Sequence, residues 1–251
     1  PVVTLDTTPL TGTFGTAAPA LPSATASSGA AAVWSSSNTS VATISGTTIT
    51  LVGAGTTTLR VNFASTANYE SATASVQLTV AAGTQAPVSY SGPTSTTYGT
   101  AIGLTLTGGS GSGAVTWTKV SGPCSVSGAT LTPTGATSTG NLCVIRGTKA
   151  GGTQYADAST ADVSITIAKK ALTITPTSVT RTKDAIAGVQ FGFTAPGLVG
   201  SDTATVTFKY TGVAPTVYAT STTVPTDLGT YEISVNSADL GSAAGNYTLT
   251  Y

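Results

Sequence analysis

The sequence has no histidine and no methionine, only two cysteines and two tryptophans, and charged residues fill just 7% of its 251 positions. Without histidine there is no imidazole base, no imidazole metal ligand and no triad of the Ser-His-Asp kind. Nine Lys and Arg balance nine Asp and Glu, so no net field draws nucleic acid or anionic lipid. No run reaches ~18 consecutive apolar residues, so no membrane insertion is expected. Pro1 opens without a basic and apolar leader, which places any export signal outside this sequence. The scattered carboxylates form no Asp-x-Asp-x-Asp loop that would cage calcium. We expect no cofactor, no metal and no enzymatic activity.

What is abundant is small and hydroxylated: 54 Thr, 28 Ser and 29 Gly, beside 40% apolar residues. Hydroxyls rather than charges keep such a chain in solution, and its apolar share is large enough to bury a core. The apolar rhythm has a period of two. Leu59, Val61 and Phe63 alternate with Arg60 and Asn62, Val206, Phe208 and Tyr210 with Thr207 and Lys209, and Tyr231, Ile233 and Val235 with Glu232 and Ser234. Each run reads as a strand with one wet face. Threonine suits that face because its branched Cβ favours extended backbone while its hydroxyl stays solvated. Gly, Pro, Ser and Asn interrupt the strands about every 8–12 residues, the spacing of antiparallel sandwiches. No helix is expected.

Internal repetition organises the chain. Phe14-Gly15-Thr16-Ala17 is matched by Tyr98-Gly99-Thr100-Ala101, and Ala32-Val33-Trp34 by Ala114-Val115-Thr116-Trp117. Ser45-Gly46-Thr47-Thr48-Ile49-Thr50 is matched by Ser127-Gly128-Ala129-Thr130-Leu131-Thr132, and Asn68-Tyr69 by Gln154-Tyr155. Each unit closes on an alternating strand: Val76, Leu78 and Val80, then Val163, Ile165 and Ile167. These matches set modules at residues 1–84 and 85–168, with a divergent third at 169–251. The first junction, residues 81–87, reads as a short linker with a glycine hinge at Gly83. The second, residues 165–175, holds neither Gly nor Pro and reads as the stiffer of the two.

The stretch Trp34-Ser35-Ser36-Ser37-Asn38, with Val41-Ala42-Thr43-Ile44-Ser45-Gly46 and Gly53-Ala54-Gly55-Thr56 after it, resembles bacterial immunoglobulin-like repeats of intimin- and invasin-type adhesins. The middle unit is similar to a variant with a cysteine pair found in large secreted repeat proteins. The last resembles the module called "mostly bacterial Ig", through Leu172-Thr173-Ile174-Thr175-Pro176, Gly197-Leu198-Val199-Gly200-Ser201-Asp202, Gly229-Thr230-Tyr231 and Gly245-Asn246-Tyr247-Thr248-Leu249-Thr250. The resemblance implies an all-β chain of three tandem immunoglobulin-like β-sandwiches, secreted or on a bacterial cell surface. Such modules continue past Asn-Tyr-Thr into one more strand. The resemblance therefore implies that the last strand of the third module is missing or supplied from elsewhere, leaving an edge open to homopolymeric strand addition.

Cys124 and Cys143 are expected to form a disulfide. Cys143 shares its inward phase with Ile145, a catalytic thiol would lack a base, and two thiols alone do not close a zinc site. In a sandwich of this kind Trp34 and Trp117 are core residues, because a sugar-stacking platform need not recur at equivalent positions. Lys170 and Asn246 raise an isopeptide crosslink, but Glu232 is out of phase with Tyr231 and Ile233 and reads as outward, as does Asn246, out of phase with Tyr247 and Leu249. Thr-x-Thr runs are read as ordinary exposed strand faces. Asn38-Thr39-Ser40 and Asn246-Tyr247-Thr248 fit the N-glycosylation pattern, which matters only in a host that uses it. The expected role is a stalk or spacer whose partners are other modules of the same long chain. The alternative is a glycan- or surface-polymer-binding module, with Tyr90, Tyr98, Tyr155 and Tyr218 as candidate platform residues.

Overall fold

The computed structural model describes residues 1–179 and 191–251. The chain is all-β: among the described residues the regular structure is strand, apart from one 3-10 helix, Gly241–Asn246. No helix among the described residues is long and apolar enough to cross a membrane. The chain condenses into two compact units, one of Pro1–Tyr90, Leu106–Thr116 and Gly147–Ala161, the other of Ser91–Thr105, Trp117–Arg146 and Asp162–Tyr251.

In the first unit a four-stranded sheet runs in the order Leu10–Thr13, Ala72–Ala81, Gly55–Phe63, Ala32–Ser36. The long central pair is antiparallel, with Leu59 opposite Val76 and Thr57 opposite Leu78, while Leu10–Thr13 joins its edge in parallel. The period of two does what it should: Leu59, Val61 and Phe63 are buried and Arg60 and Asn62 exposed. Facing this sheet is the hairpin Ala42–Ser45 with Thr48–Leu51, turned at Gly46 in the left-handed region (φ 61°). Ala42 and Ile49 from the hairpin meet Leu59, Val76, Leu78 and Val80 from the sheet in one apolar core. Thr57 is a buried polar exception whose hydroxyl accepts the Asn38 N–H at 2.9 Å and lies 2.8 Å from Ser36 Oγ. Its hydrogen bonds remove the penalty of burying it.

The second unit repeats parts of this plan. Ser95–Thr97 pairs in parallel with Val163–Ala168, as Leu10–Thr13 does with Ala72–Ala81, and Cys143 to Ile145 run antiparallel to Ile165 to Val163. Opposite them stand Ile102–Gly103, Thr130–Pro133 and Cys124–Ser127. A disulfide joins Cys124 to Cys143, both almost fully buried, and so ties one sheet to the other. The last third adds the long hairpin of Thr205–Val213 with Thr230–Asp239, the short pair Thr175–Pro176 with Phe193–Thr194, and the parallel pair Lys170–Thr173 with Tyr247–Thr250. Leu172, Ile174, Tyr210, Val235 and Leu240 are buried there.

The disulfide spans 19 positions. Closing a loop of this length restricts the unfolded chain by about 3 kcal/mol. Replacing both cysteines by serine should lower unfolding free energy by about that amount, read as a drop in urea midpoint with a slope that is the same or steeper, since the released unfolded chain exposes more surface. An unchanged midpoint would mean that the bridge does not constrain the unfolded chain.

Candidate functional site

The repeated motifs meet each other across the boundaries between sequence thirds. In the first unit Phe14 and Tyr155 pack edge to face, their ring centroids 5.2 Å apart and planes at 87°. In the second unit Tyr98 and Tyr247 pack the same way, at 5.5 Å and 89°. Phe14 and Tyr98 head the matching Phe/Tyr-Gly-Thr-Ala motifs, and Tyr155 and Tyr247 end the matching Gln/Asn-Tyr motifs. Edge-to-face geometry sets the positive rim of one ring against the negative face of the other, worth about 0.5–1.5 kcal/mol beyond the area buried.

The backbone around each ring pair also recurs. Phe14 N–H donates to the Ala81 carbonyl and Tyr98 N–H to the Ala168 carbonyl, both at 2.9 Å. Two residues past each alanine the chain pairs in parallel with the tyrosine, Gly83 with Tyr155 and Lys170 with Tyr247. A third attachment comes from two Gly-Ala dipeptides. Ala54 N–H donates to the Thr153 carbonyl at 2.7 Å, and Ala136 N–H to Asn246 Oδ1 at 2.8 Å. A Cβ on Gly53 would lie 2.8 Å from Ser40 O and 3.1 Å from Thr153 O, and one on Gly135 3.2 Å from Asn246 Oδ1. Glycine at both positions lets the next loop approach.

Gly83 is therefore not a free hinge. Its N–H donates to the Gln154 carbonyl at 2.9 Å, and its carbonyl accepts the Ala156 N–H at 2.8 Å. A Cβ there would sit 2.4 Å from the Phe14 carbonyl oxygen, so the residue is glycine because backbone passes close by. Two residues on, Gln85 is buried with its amide fully used. Nε2 donates to the carbonyls of Lys149 and Ala156 at 2.9 and 2.8 Å, and Oε1 accepts Gly111 N–H at 3.0 Å.

The second contact adds a polar clamp. Asp202 Oδ2 accepts both phenols, Tyr98 at 3.0 Å and Tyr247 at 2.6 Å, and Tyr247 Oη accepts Val199 N–H at 2.8 Å. Burial, then the bond to Asp202, pushes the Tyr247 phenol up to about 12, while the Val199 N–H works in the other direction. Tyr98 is raised for the same two leading reasons.

The other sequence candidates sit as follows. Trp34 is half-buried against the core of the first unit and Trp117 is buried in the second. Three of the candidate tyrosines have ring partners: Tyr98 and Tyr155 belong to the two contacts above, and Tyr218 stacks edge-on against Tyr231 at 5.6 Å. Lys170 lies in register with Tyr247, whereas Glu232 is exposed opposite Thr211, so Glu232 is not a buried carboxylate joining Lys170 and Asn246. Among the described residues no three Cys, Asp or Glu gather into a metal-binding group. Asp202, Gln85 and the Gly-Ala dipeptides carry roles that sequence reading missed, although Gly53-Ala54 and Gly135-Ala136 recur visibly.

Two outcomes follow from this geometry. Gly83→Ala should lower stability by about 1–3 kcal/mol, the range for forcing a side chain into occupied space, and should release Ala156 N–H to hydrogen exchange. Tyr247→Phe removes a hydrogen bond to a charged group and leaves Val199 N–H without its partner, a loss of about 2–3 kcal/mol. Because the folded state holds the phenol protonated above its ordinary value near 10, that contribution is complete below pH ~10 and fades as pH rises towards the folded value of about 12. Denaturant midpoints of the two proteins should therefore converge between those pH values, and a constant gap would contradict the assignment.

No curated protein matches the chain. Among solved structures it is similar to human protocadherin-24 EC1-2 (12% identity, 66% of this chain and 97% of that one, TM-score 0.30), mouse cadherin-23 EC22-24 (13%, 82% and 80%, 0.29) and murine CEACAM1b (13%, 66% and 100%, 0.31). Scores this low leave the all-β assignment resting on the strands themselves. Residues 172–251 match the family described as MBG domain (YGX type). That stretch carries Val199, Asp202, Asn246 and Tyr247, so one side of the second contact lies wholly within the matched family.

Proposed function

We propose that this chain is a structural stalk or spacer segment of an exported bacterial surface protein, such as an adhesin, fibre or surface-layer component. In this reading residues 1–84, 85–168 and 169–251 are successive immunoglobulin-like modules, and the chain has no catalytic role. The observation that carries it is the twice-built contact in which an aromatic ring and a Gly-Ala N–H tie one third to the next, beside a parallel backbone pair on the connecting chain. A spacer works by holding distance, and attachments at separate points restrain bending and twisting where a single linker would restrain neither. A buried disulfide suits an oxidising compartment. The glycan-binding alternative gains nothing from the tyrosines, two of which are already engaged in these contacts.

Spin labels at exposed Thr73 and Thr248 test the spacer reading through the width of their distance distribution. A spacer gives one narrow distribution, and Gly83→Ala broadens it. A broad distribution in the unaltered chain defeats the proposal, and a distribution that shifts on adding soluble glycans favours the binding alternative.

A further inference from the structure

The first third holds its own copy of the receiving loop, and among the described residues no aromatic ring is paired with its tyrosine. Asn68-Tyr69 aligns with Gln154-Tyr155 and Asn246-Tyr247. Where Tyr155 and Tyr247 each take an aromatic edge from the preceding third, the Tyr69 side chain is 44% exposed, and residues 66–70 are all exposed. Local bonding folds the loop, through Thr66 N–H to the Tyr69 carbonyl at 2.9 Å. That bond leaves free the groups that do the receiving elsewhere. The counterparts of the Gln154 carbonyl and the Ala156 N–H, which grip Gly83, are the Asn68 carbonyl and the Glu70 N–H. Asn68 matches Asn246, whose amide oxygen accepts Ala136 N–H.

We infer that residues 67–70 are a docking surface for another module of this same kind, one offering a Phe/Tyr-Gly-Thr loop, a Gly-Ala dipeptide and the end of a closing strand. The occupant is specified by complementarity already present twice within the chain. Its ring would meet Tyr69 edge-on, the residue two past its closing alanine would pair in parallel with Tyr69, and its Gly-Ala N–H would reach Ala67 or Asn68. An isolated sugar or peptide could offer the ring, but not all three attachments at once. The inference rests on the spacer reading, because it treats the two internal contacts as joints and Tyr69 as the receiving half of a third.

The alignment also fixes how to build the test. Pro1-Val2 corresponds to Pro87-Val88, which follow Gln85-Ala86, so a copy of residues 1–86 placed directly ahead of Pro1 of the full chain reproduces the native junction. Thr73→Ser in the added copy, at an exposed position, distinguishes its peptides from those of the original. Amide hydrogen exchange is then followed at Glu70 of the original chain, with Ala156 as internal reference. Glu70 should exchange at least tenfold more slowly in the extended chain than in the unextended one, and Tyr69→Ala in the original copy should abolish that protection while Ala156 stays protected. Unchanged exchange at Glu70 beside a protected Ala156 overturns the docking surface alone. An unprotected Ala156 in every chain overturns the joint and the spacer reading together. Should the added copy fail to fold, shown by rapid exchange at its own Val61, residues 1–173 prepended instead present Tyr98 in place of Phe14 and must give the same protection.

Discussion

The structure depends on one constraint, that a tyrosine must lie edge-on to an aromatic ring from the preceding third while its backbone pairs in parallel with the connecting chain. Neither half suffices alone. A ring pair contributes about 1 kcal/mol and leaves rotation about the contact free, and a single parallel bridge can fray. Together they place three points of attachment around one spot, since the Gly-Ala N–H adds the third. Backbone that would otherwise be a linker becomes part of the ordered structure. Gly83 and Gln85 are both buried, which a loose connection would not be.

The two contacts solve the same problem with different chemistry in the remaining space. The first uses amides: Gln85 satisfies three backbone groups, and Gln154 Nε2 donates to the Val52 carbonyl at 3.1 Å. The second uses a carboxylate between two phenols. Phe14 has no hydroxyl to offer and Tyr98 has one, so the residue at the head of the motif decides whether an acid such as Asp202 can be used. In both cases the buried polar groups are bonded, as low-dielectric surroundings require.

Most of the fold could be read from the chain because burial follows a period of two wherever one face of a sheet is wet. Val76, Leu78 and Val80 are buried and Gln77 and Thr79 exposed, as alternation alone predicts. The repeats were equally legible, but their function was not. Phe14-Gly15-Thr16 and Asn68-Tyr69 recur in sequence without showing that one meets the other's counterpart in the next third. Gly83 read as a hinge because a glycine that bends freely and one that lets backbone approach look alike in sequence. Asn246 read as outward because it is out of phase with Tyr247 and Leu249. Phase describes a strand's own sheet, however, and this amide turns to Ala136 in the preceding third. Asp202 stood inside a recognisable stretch, 197–202, that said nothing of its partners, two tyrosines far away in the chain.

The scarcity of charge then takes on a structural meaning. Among the described residues the one ion pair, Arg146 with Asp162 at 2.8 Å, has both side chains about half exposed, and such pairs contribute at most about 1 kcal/mol and less as salt rises. The forces at the contacts between thirds are ring packing, backbone pairing and short hydrogen bonds, none of which depends on a long-range field that ions would screen. Asp202 is consistent with this, because its bonds run to neutral phenols rather than to a cation that salt could displace. Exposed strand faces follow suit, with hydroxyl pairs such as Thr207 with Ser237 at 2.7 Å and Thr148 with Ser159 at 2.8 Å where other proteins place Lys and Glu. Contacts of this kind should weaken little as ionic strength rises, which is what the spacer role proposed above would require.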